Sequence, residues 1–222
     1  IDVCVVFDSL NWLQGMEVAL DEVLKQGKVA EACMCYTGDI LDESRTKYSL
    51  QYYINMAKEL EKRGAHIIAI KDMSGLLKPA AAYKLIKELK NNVGLPIHLH
   101  THDTSGNGVA SLLMAAQAGV DIVDTEVNSM AGLTSQPSLS SVVAAIQRTE
   151  RESSINFDDI QKITNYGGDV CPVYGQFESG FKAGTCEIYK YEIPAGQYSN
   201  LNPQVENFGS ETEFVVENAR FK

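Results

Sequence analysis

No apolar run in the 222 residues approaches the roughly 20 needed for a membrane-spanning helix. The 17 glycines follow no triplet period, which excludes a collagen-like chain. Positive charge is in deficit, with 19 Lys and Arg against 29 Asp and Glu and a net charge of −10. That sign argues against nucleic acid or an anionic membrane as a partner. The five cysteines (Cys4, Cys33, Cys35, Cys171 and Cys186) are odd in number and contain no C-x-x-C pair. Three of them lie in apolar runs, where Cys behaves as a small hydrophobe, so a reducing compartment without structural disulfides is expected. No basic leader opens the sequence. It begins at Ile1 inside an apolar run and without Met, so a piece of a longer polypeptide is expected.

What is present is a regular alternation. Hydrophobic residues make up 45% of the chain, enough for a sizeable core. Ile1–Phe7, Val29–Tyr36, His66–Ile70, Pro96–His100 and Asp121–Val127 read as strands, and the first of them as a buried one. Between and after them, Met16–Lys25, Ser49–Arg63, Pro79–Leu89, Val109–Ala118 and Ser138–Ile146 carry helical spacing. Gly27, Gly64 and Gly119 provide stops, and Pro79 suits a first helical turn. Five strand–helix units of about 30 residues imply a parallel sheet with crossover helices.

An open doubly wound sheet and a (β/α)8 barrel both satisfy this pattern. No G-x-G-x-x-G supports a dinucleotide fold, and no P-loop Lys follows Ser105–Gly108. Polar residues cluster after the strands: Asp8, Ser9 and Asn11; Thr37 and Asp39; Lys71 and Asp72; His100, His102 and Asp103; Asn128 and Ser129. Barrel enzymes build their sites at that face. The expected fold is therefore α/β, part of a (β/α)8 TIM-type barrel over residues 1–150. A mostly helical extension is expected over 151–222, with a helix from Phe157, a strand or extended arm at Glu187–Tyr191, a turn at Ile193–Ser199 and the start of a helix at Glu213–Phe221.

His100-Thr101-His102 places two imidazoles on one side of an extended chain, within reach of one ion. Two ordinary loop histidines are the alternative. His98 shares the parity but lies deeper, facing the barrel interior. Lys71 ends the strand one unit earlier. Burial disfavours its charge, so it either pairs with Asp72 or Asp103 or becomes a neutral nucleophile able to take up carbon dioxide as an anionic carbamate. Asp8, Asp39, Asp72 and Asp103 are further carboxylates at this face, each equally suited to capping its own loop. Arg45, Lys47 and Tyr48 read as anion contacts or solvated side chains, and Tyr52, Tyr53 and Tyr83 as packing. The lysines from Lys87 to Lys90 read as a solvated helix face.

The stretches Phe7–Trp12 (FDSLNW), Tyr36–Ile40 (YTGDI), Ser44–Tyr53 (SRTKYSLQYY), Ile70–Pro79 (IKDMSGLLKP), His98–Gly108 (HLHTHDTSGNG), Ser129–Ser138 (SMAGLTSQPS) and Glu192–Leu201 (EIPAGQYSNL) span nearly the whole chain. Read together, they resemble the carboxyltransferase domains of pyruvate carboxylases. The resemblance implies a (β/α)8 barrel with a divalent metal, zinc or manganese, held by a carbamylated Lys71, His100 and His102. Lys71 is then also the catalytic residue. It implies carboxyl transfer from biotin, carried on a separate domain, to pyruvate, giving oxaloacetate. Implied partners are the biotin carrier and biotin carboxylase domains and further copies in a homo-oligomer. The implied location is cytoplasmic, or the mitochondrial matrix in a eukaryote.

The sequence also departs from that pattern. The motif R-D-x-x-x-Q that supplies a fourth ligand is missing, as are the L-R-G-x-N and T-P-S-S-K segments. Glu126 stands where a small residue is usual, and Ala195 where a glycine is usual. With so many parts missing, this stretch alone is expected to be inactive. An oxaloacetate decarboxylase or another metal-dependent lyase of the same barrel, and a truncated barrel serving assembly, are the competing readings.

Overall fold

The computed structural model describes residues 1–178, 182–193 and 196–197. Five parallel strands, β1 (Val3–Val6), β2 (Val29–Cys35), β3 (Ile67–Asp72), β4 (Ile97–Thr101) and β5 (Ile122–Val123), pair in strictly sequential order. A doubly wound sheet reverses its strand order at a switch point, whereas the wall of a barrel never does. Sequential order thus decides between the two expected architectures in favour of the barrel wall.

Helices α1 (Leu13–Lys25), α2 (Leu50–Lys62), α3 (Pro79–Asn92), α4 (Gly108–Ala118) and α5 (Leu139–Ile146) follow the strands in turn. Ser49 and Ser138 cap α2 and α5, accepting from the amides of Tyr52 and Ser141. Pro79 opens α3, where its missing N–H costs nothing. Gly119 ends α4 in the left-handed region, φ 100°. Along each strand alternate side chains face opposite ways. Ala30, Ala32, Met34, Ile68, Ile70, Ile97 and Leu99 form the outward set, and all are fully buried under the helices. They meet Leu20, Tyr53, Leu60, Leu85, Ile86 and Leu89, which are fully or almost fully buried.

Several expectations are corrected. The first strand is an edge, not a buried strand: Val5 is 55% and Phe7 46% exposed, because no strand pairs with its free side among the described residues. The fifth strand keeps only two residues of its expected seven. Beyond Val123 the chain leaves the sheet, and Glu126 instead bridges to Ser138. Glu187–Tyr191 is no strand; Ile188–Tyr191 forms a single helical turn, α7, whose Ile188 and Tyr191 are buried. Between them lies α6 (Phe157–Val170), capped by Asn156 and carrying Asp158 and Asp159 in its first turn, where the helix dipole favours them. Most of the Ile193–Ser199 turn, Ala195, and the helix expected at Glu213–Phe221 lie outside the described residues.

The loop after β3 hangs on one carboxylate. Asp72 is fully buried and accepts from the amides of Leu76 and Leu77, each at 2.9 Å, and from the Thr101 hydroxyl at 2.8 Å. Removing it orphans two buried amides and a hydroxyl. Asp72→Ala is expected to destabilise the fold by about 3 kcal/mol or more, read from the denaturant midpoint.

Candidate metal centre and barrel face

The strand registers collect the polar residues. Lys71 on β3 lies opposite Cys35 on β2 and His100 on β4. The same parity sends Glu31, Cys33 and Cys35, Lys71, and His98 and His100 to the inward face. Lys71 meets neither Asp72 nor Asp103; its ammonium sits 4.8 Å above the Phe7 ring, and it has no ion pair among the described residues. The Cys33 thiol is pushed up to about 12 by burial and by Glu31, and Cys35 is also raised, chiefly by burial. Both remain protonated and are poor nucleophiles or ligands.

The two histidines of the H-x-H pair face each other, Nε2 to Nε2, at 3.3 Å. Each Nδ1 is engaged elsewhere. That of His100 lies 2.8 Å from Asp124 Oδ2, and that of His102 lies 2.7 Å from the Thr134 carbonyl. Carboxylate and carbonyl oxygens only accept, so both Nδ1 atoms carry hydrogens, and in the neutral form of each ring Nε2 presents a lone pair. Two bare nitrogens at this separation repel unless a cation lies between them. Two ligands about 2.0–2.1 Å from one tetrahedral ion are themselves about 3.3 Å apart. Burial holds His102 below its usual pKa, aided by His100 and Lys71 against the Thr134 carbonyl, which keeps it in the ligating neutral form. The side chains present therefore fit two positions of a metal. Among the described residues no group of three or more His, Cys, Asp or Glu side chains is gathered for one.

His98 joins the inward face, as its parity requires. Its Nδ1 lies 2.9 Å from Glu31 Oε1, and its Nε2 lies 3.0 Å from Asp124 Oδ1 in an ion-pair contact. Burial opposes its charge, but Asp124 and Glu31 outweigh that and raise its pKa. Asp124, despite burial, is held well below the usual carboxylate range by His100 and His98. Asp124 and Glu31 are missing from the sequence-derived carboxylates. A lone acid in an apolar strand is the signal that finds Glu31, whereas Asp124 stands between Asp121 and Glu126 and carries no such signal.

Those four carboxylates are structural. Asp8 accepts from the amides of Leu10 and Trp12, Asp39 from Leu41, Asp72 from Leu76 and Leu77, and Asp103 from Gly108. Glu126 does not reach the histidines, because its carboxylate accepts from the following amide, Val127, at 2.7 Å. Arg45 is paired with Asp42 and Glu192, Lys47 stands over the Tyr48 ring, and Lys90 pairs with Asp121. Tyr53 is packing, its ring stacked on Tyr36, while Tyr83 is exposed. Gly75, at φ 72°, passes so close beneath the next loop that a Cβ would lie 2.5 Å from the His102 carbonyl oxygen. Only glycine lets the two loops meet there.

Helix α7 covers this end of the wall. Tyr189 Oη accepts from Asn107 and lies 3.1 Å from the Ser105 hydroxyl, and Lys78 Nζ stands 5.1 Å from its ring centroid. Beneath it a cavity of about 210 Å³ is lined by Asn11, Cys35, Tyr48, Met73, Ser74 and Glu192, among others.

A family model described as HMGL-like matches residues 21–166, about two thirds of the chain. The chain belongs to the HMGL-like family. Among curated relatives, it is 55% identical over 209 residues to the pyruvate carboxylase of Bacillus subtilis, covering 94% of this chain and 18% of that protein. It is 44% identical over 216 residues to the mitochondrial pyruvate carboxylase of Homo sapiens, covering 96% of this chain and 18% of that protein. Its structure matches the carboxyl transferase domain of the Rhizobium etli pyruvate carboxylase, with a TM-score of 0.93 and 50% identity over 96% of this chain and 36% of that one. That Rhizobium etli domain has also been solved with pyruvate and biocytin. The chain thus spans about a fifth of the length of these curated relatives.

Asp39 gives the face a pH response. Burial opposes its charge, but the Lys78 ammonium at 2.6 Å, the Leu41 amide and Arg45 outweigh it and lower its pKa. A carboxyl lowered by folding stabilises above the unfolded value of about 3.9 and ceases to as pH falls through the folded value. Asp39→Asn should cost below about 1 kcal/mol at neutral pH, because Lys78 is partly solvated. In acid denaturation curves that difference from the parent should vanish as pH falls below about 4.

Proposed function

We propose that this chain is part of the carboxyltransferase of a biotin-dependent pyruvate carboxylase, the step that moves a carboxyl group from carboxybiotin to pyruvate and yields oxaloacetate. The paired Nε2 atoms 3.3 Å apart beside Lys71 carry this reading. In it His100, His102 and Lys71 hold a divalent metal, zinc or manganese, with Lys71 as its carbamate. Supporting that role, Lys71 has no carboxylate partner among the described residues, and its amine stands over the Phe7 ring on the same face as His100. A bound divalent cation would polarise the oxygens of a 2-oxo acid and acidify the adjacent methyl group.

The chain's own residues do the positioning. The Thr134 carbonyl and Asp124 orient the two imidazoles, and neutral Cys33 and Cys35 leave the wall beside Lys71 without competing charge. Residues 1–150 supply the barrel and 151–222 begin an extension. Biotin arrives on a separate carrier domain charged by a biotin carboxylase domain, within a homo-oligomer of the cytosol or mitochondrial matrix. No described helix is long and apolar enough to cross a membrane.

The test is a chimera in which this chain replaces the corresponding segment of the Bacillus subtilis pyruvate carboxylase. It should form oxaloacetate from pyruvate, and Lys71→Ala, His100→Ala or His102→Ala should each lower the rate at least about 100-fold, the equivalent of about 3 kcal/mol. A folded chimera with bound metal but no turnover would overturn the proposal. Turnover of oxaloacetate without biotin would favour a decarboxylase of the same barrel. Metal content should also fall in a His100→Ala/His102→Ala double variant of the 222-residue chain itself.

A further inference from the structure

The inward face holds more polar order than two ligands require. Glu31, His98, Asp124 and His100 form one continuous line across β2, β4 and the end of β5. Asp124 is its centre: one oxygen takes the Nδ1 hydrogen of His100 at 2.8 Å, and the other faces His98 Nε2 at 3.0 Å. The far side of His98 is closed by Glu31, which is 5% exposed. An aspartate tied at both oxygens has its carboxylate plane fixed, and so fixes the plane of the imidazole it holds.

We propose that Asp124 is the positioning residue of the His100–His102 pair, and that Glu31 and His98 act as a buried buttress holding Asp124 in place. This assigns the first histidine of HLHTH a supporting role and not a ligand's. It rests on the metal reading above in one respect only, the identity of what the paired nitrogens receive. Outer-shell partners of ligating histidines fix the tautomer and orientation of the ring, and their loss costs about 10–100-fold in metal affinity. Asparagine at 124 retains the volume but has one acceptor oxygen, which cannot serve both His98 and His100.

The test uses the 222-residue chain and two readouts. In the metal-free protein labelled at histidine, nitrogen NMR should find His100 with its hydrogen on Nδ1. Asp124→Ala should release it to the Nε2–H form that free imidazole prefers. With cobalt(II) alone as the probe, Asp124→Ala and Asp124→Asn should weaken binding about 10–100-fold and shift the visible absorption bands, and Glu31→Gln should do so by about 3–10-fold. If the parent binds cobalt(II) and all three variants match it in affinity and spectrum, the proposal is overturned. If the parent binds none, this stretch does not hold an ion by itself, and the tautomer decides: Nδ1–H on His100 supports the proposal and Nε2–H overturns it. Should Asp124→Ala fail to fold, the parent tautomer and the Asp124→Asn binding curve carry the decision.

Discussion

Everything at this face depends on the two-residue period of an in-register parallel strand. Each strand must send alternate side chains to opposite sides, and the two sides meet different neighbours. Outward, Ala30, Ala32, Met34, Ile68, Ile70, Ile97 and Leu99 are fully buried against helices. That layer anchors the sheet, and it also locks the register. A one-residue slip of β4 would bring His98 and His100 under α3 and α4 and send Leu99 inward. The geometry of the paired histidines is thus held by residues that never face them.

The inward side trades stability for placement. Glu31 and His98 are largely removed from water and Asp124 partly so, and desolvating ionisable groups is expensive. Alternation of sign from Glu31 through His98 to Asp124 offsets that cost, since the His98 imidazole lies between two carboxylates. Hydrophobic residues of similar volume would pack as well or better, but would leave His100 free to rotate. Removing a single member has the opposite consequence and strands a buried charge. The line therefore acts as a unit, and its members are not interchangeable with the capping aspartates.

Much of this was legible in the sequence, because the fold is written in local signals. Every α-helix and strand through α5 begins or ends within a few residues of its hydrophobic period, and the Ser49 and Ser138 caps and the Gly119 stop sit where their chemistry requires. His100 and His102 converge as an H-x-H in a strand must. What failed were features set by distant neighbours. Ile1–Phe7 has a buried strand's composition, yet it is an edge here because burial depends on the strand beside it. Glu187–Tyr191 has alternating apolar residues that suit a strand, but only one turn of helix lets Ile188 and Tyr191 bury together while Tyr189 reaches Ser105 and Asn107.

The carboxylates show the limit most clearly. Asp8, Asp39, Asp72 and Asp103 stand where an active-site acid is sought, at or past a strand's end, and all four accept from amides of their own loops. Asp124 stands there too, but its role is set by register. It lies one step beyond the last paired residue of β5, and only the pairing of β4 with β5 shows that it must meet His98 and His100. A side chain that caps its own loop needs only local sequence, and local sequence predicts it. A side chain that positions another across two strands needs the sheet first, so the residue with most influence over the paired histidines is the one least visible before folding.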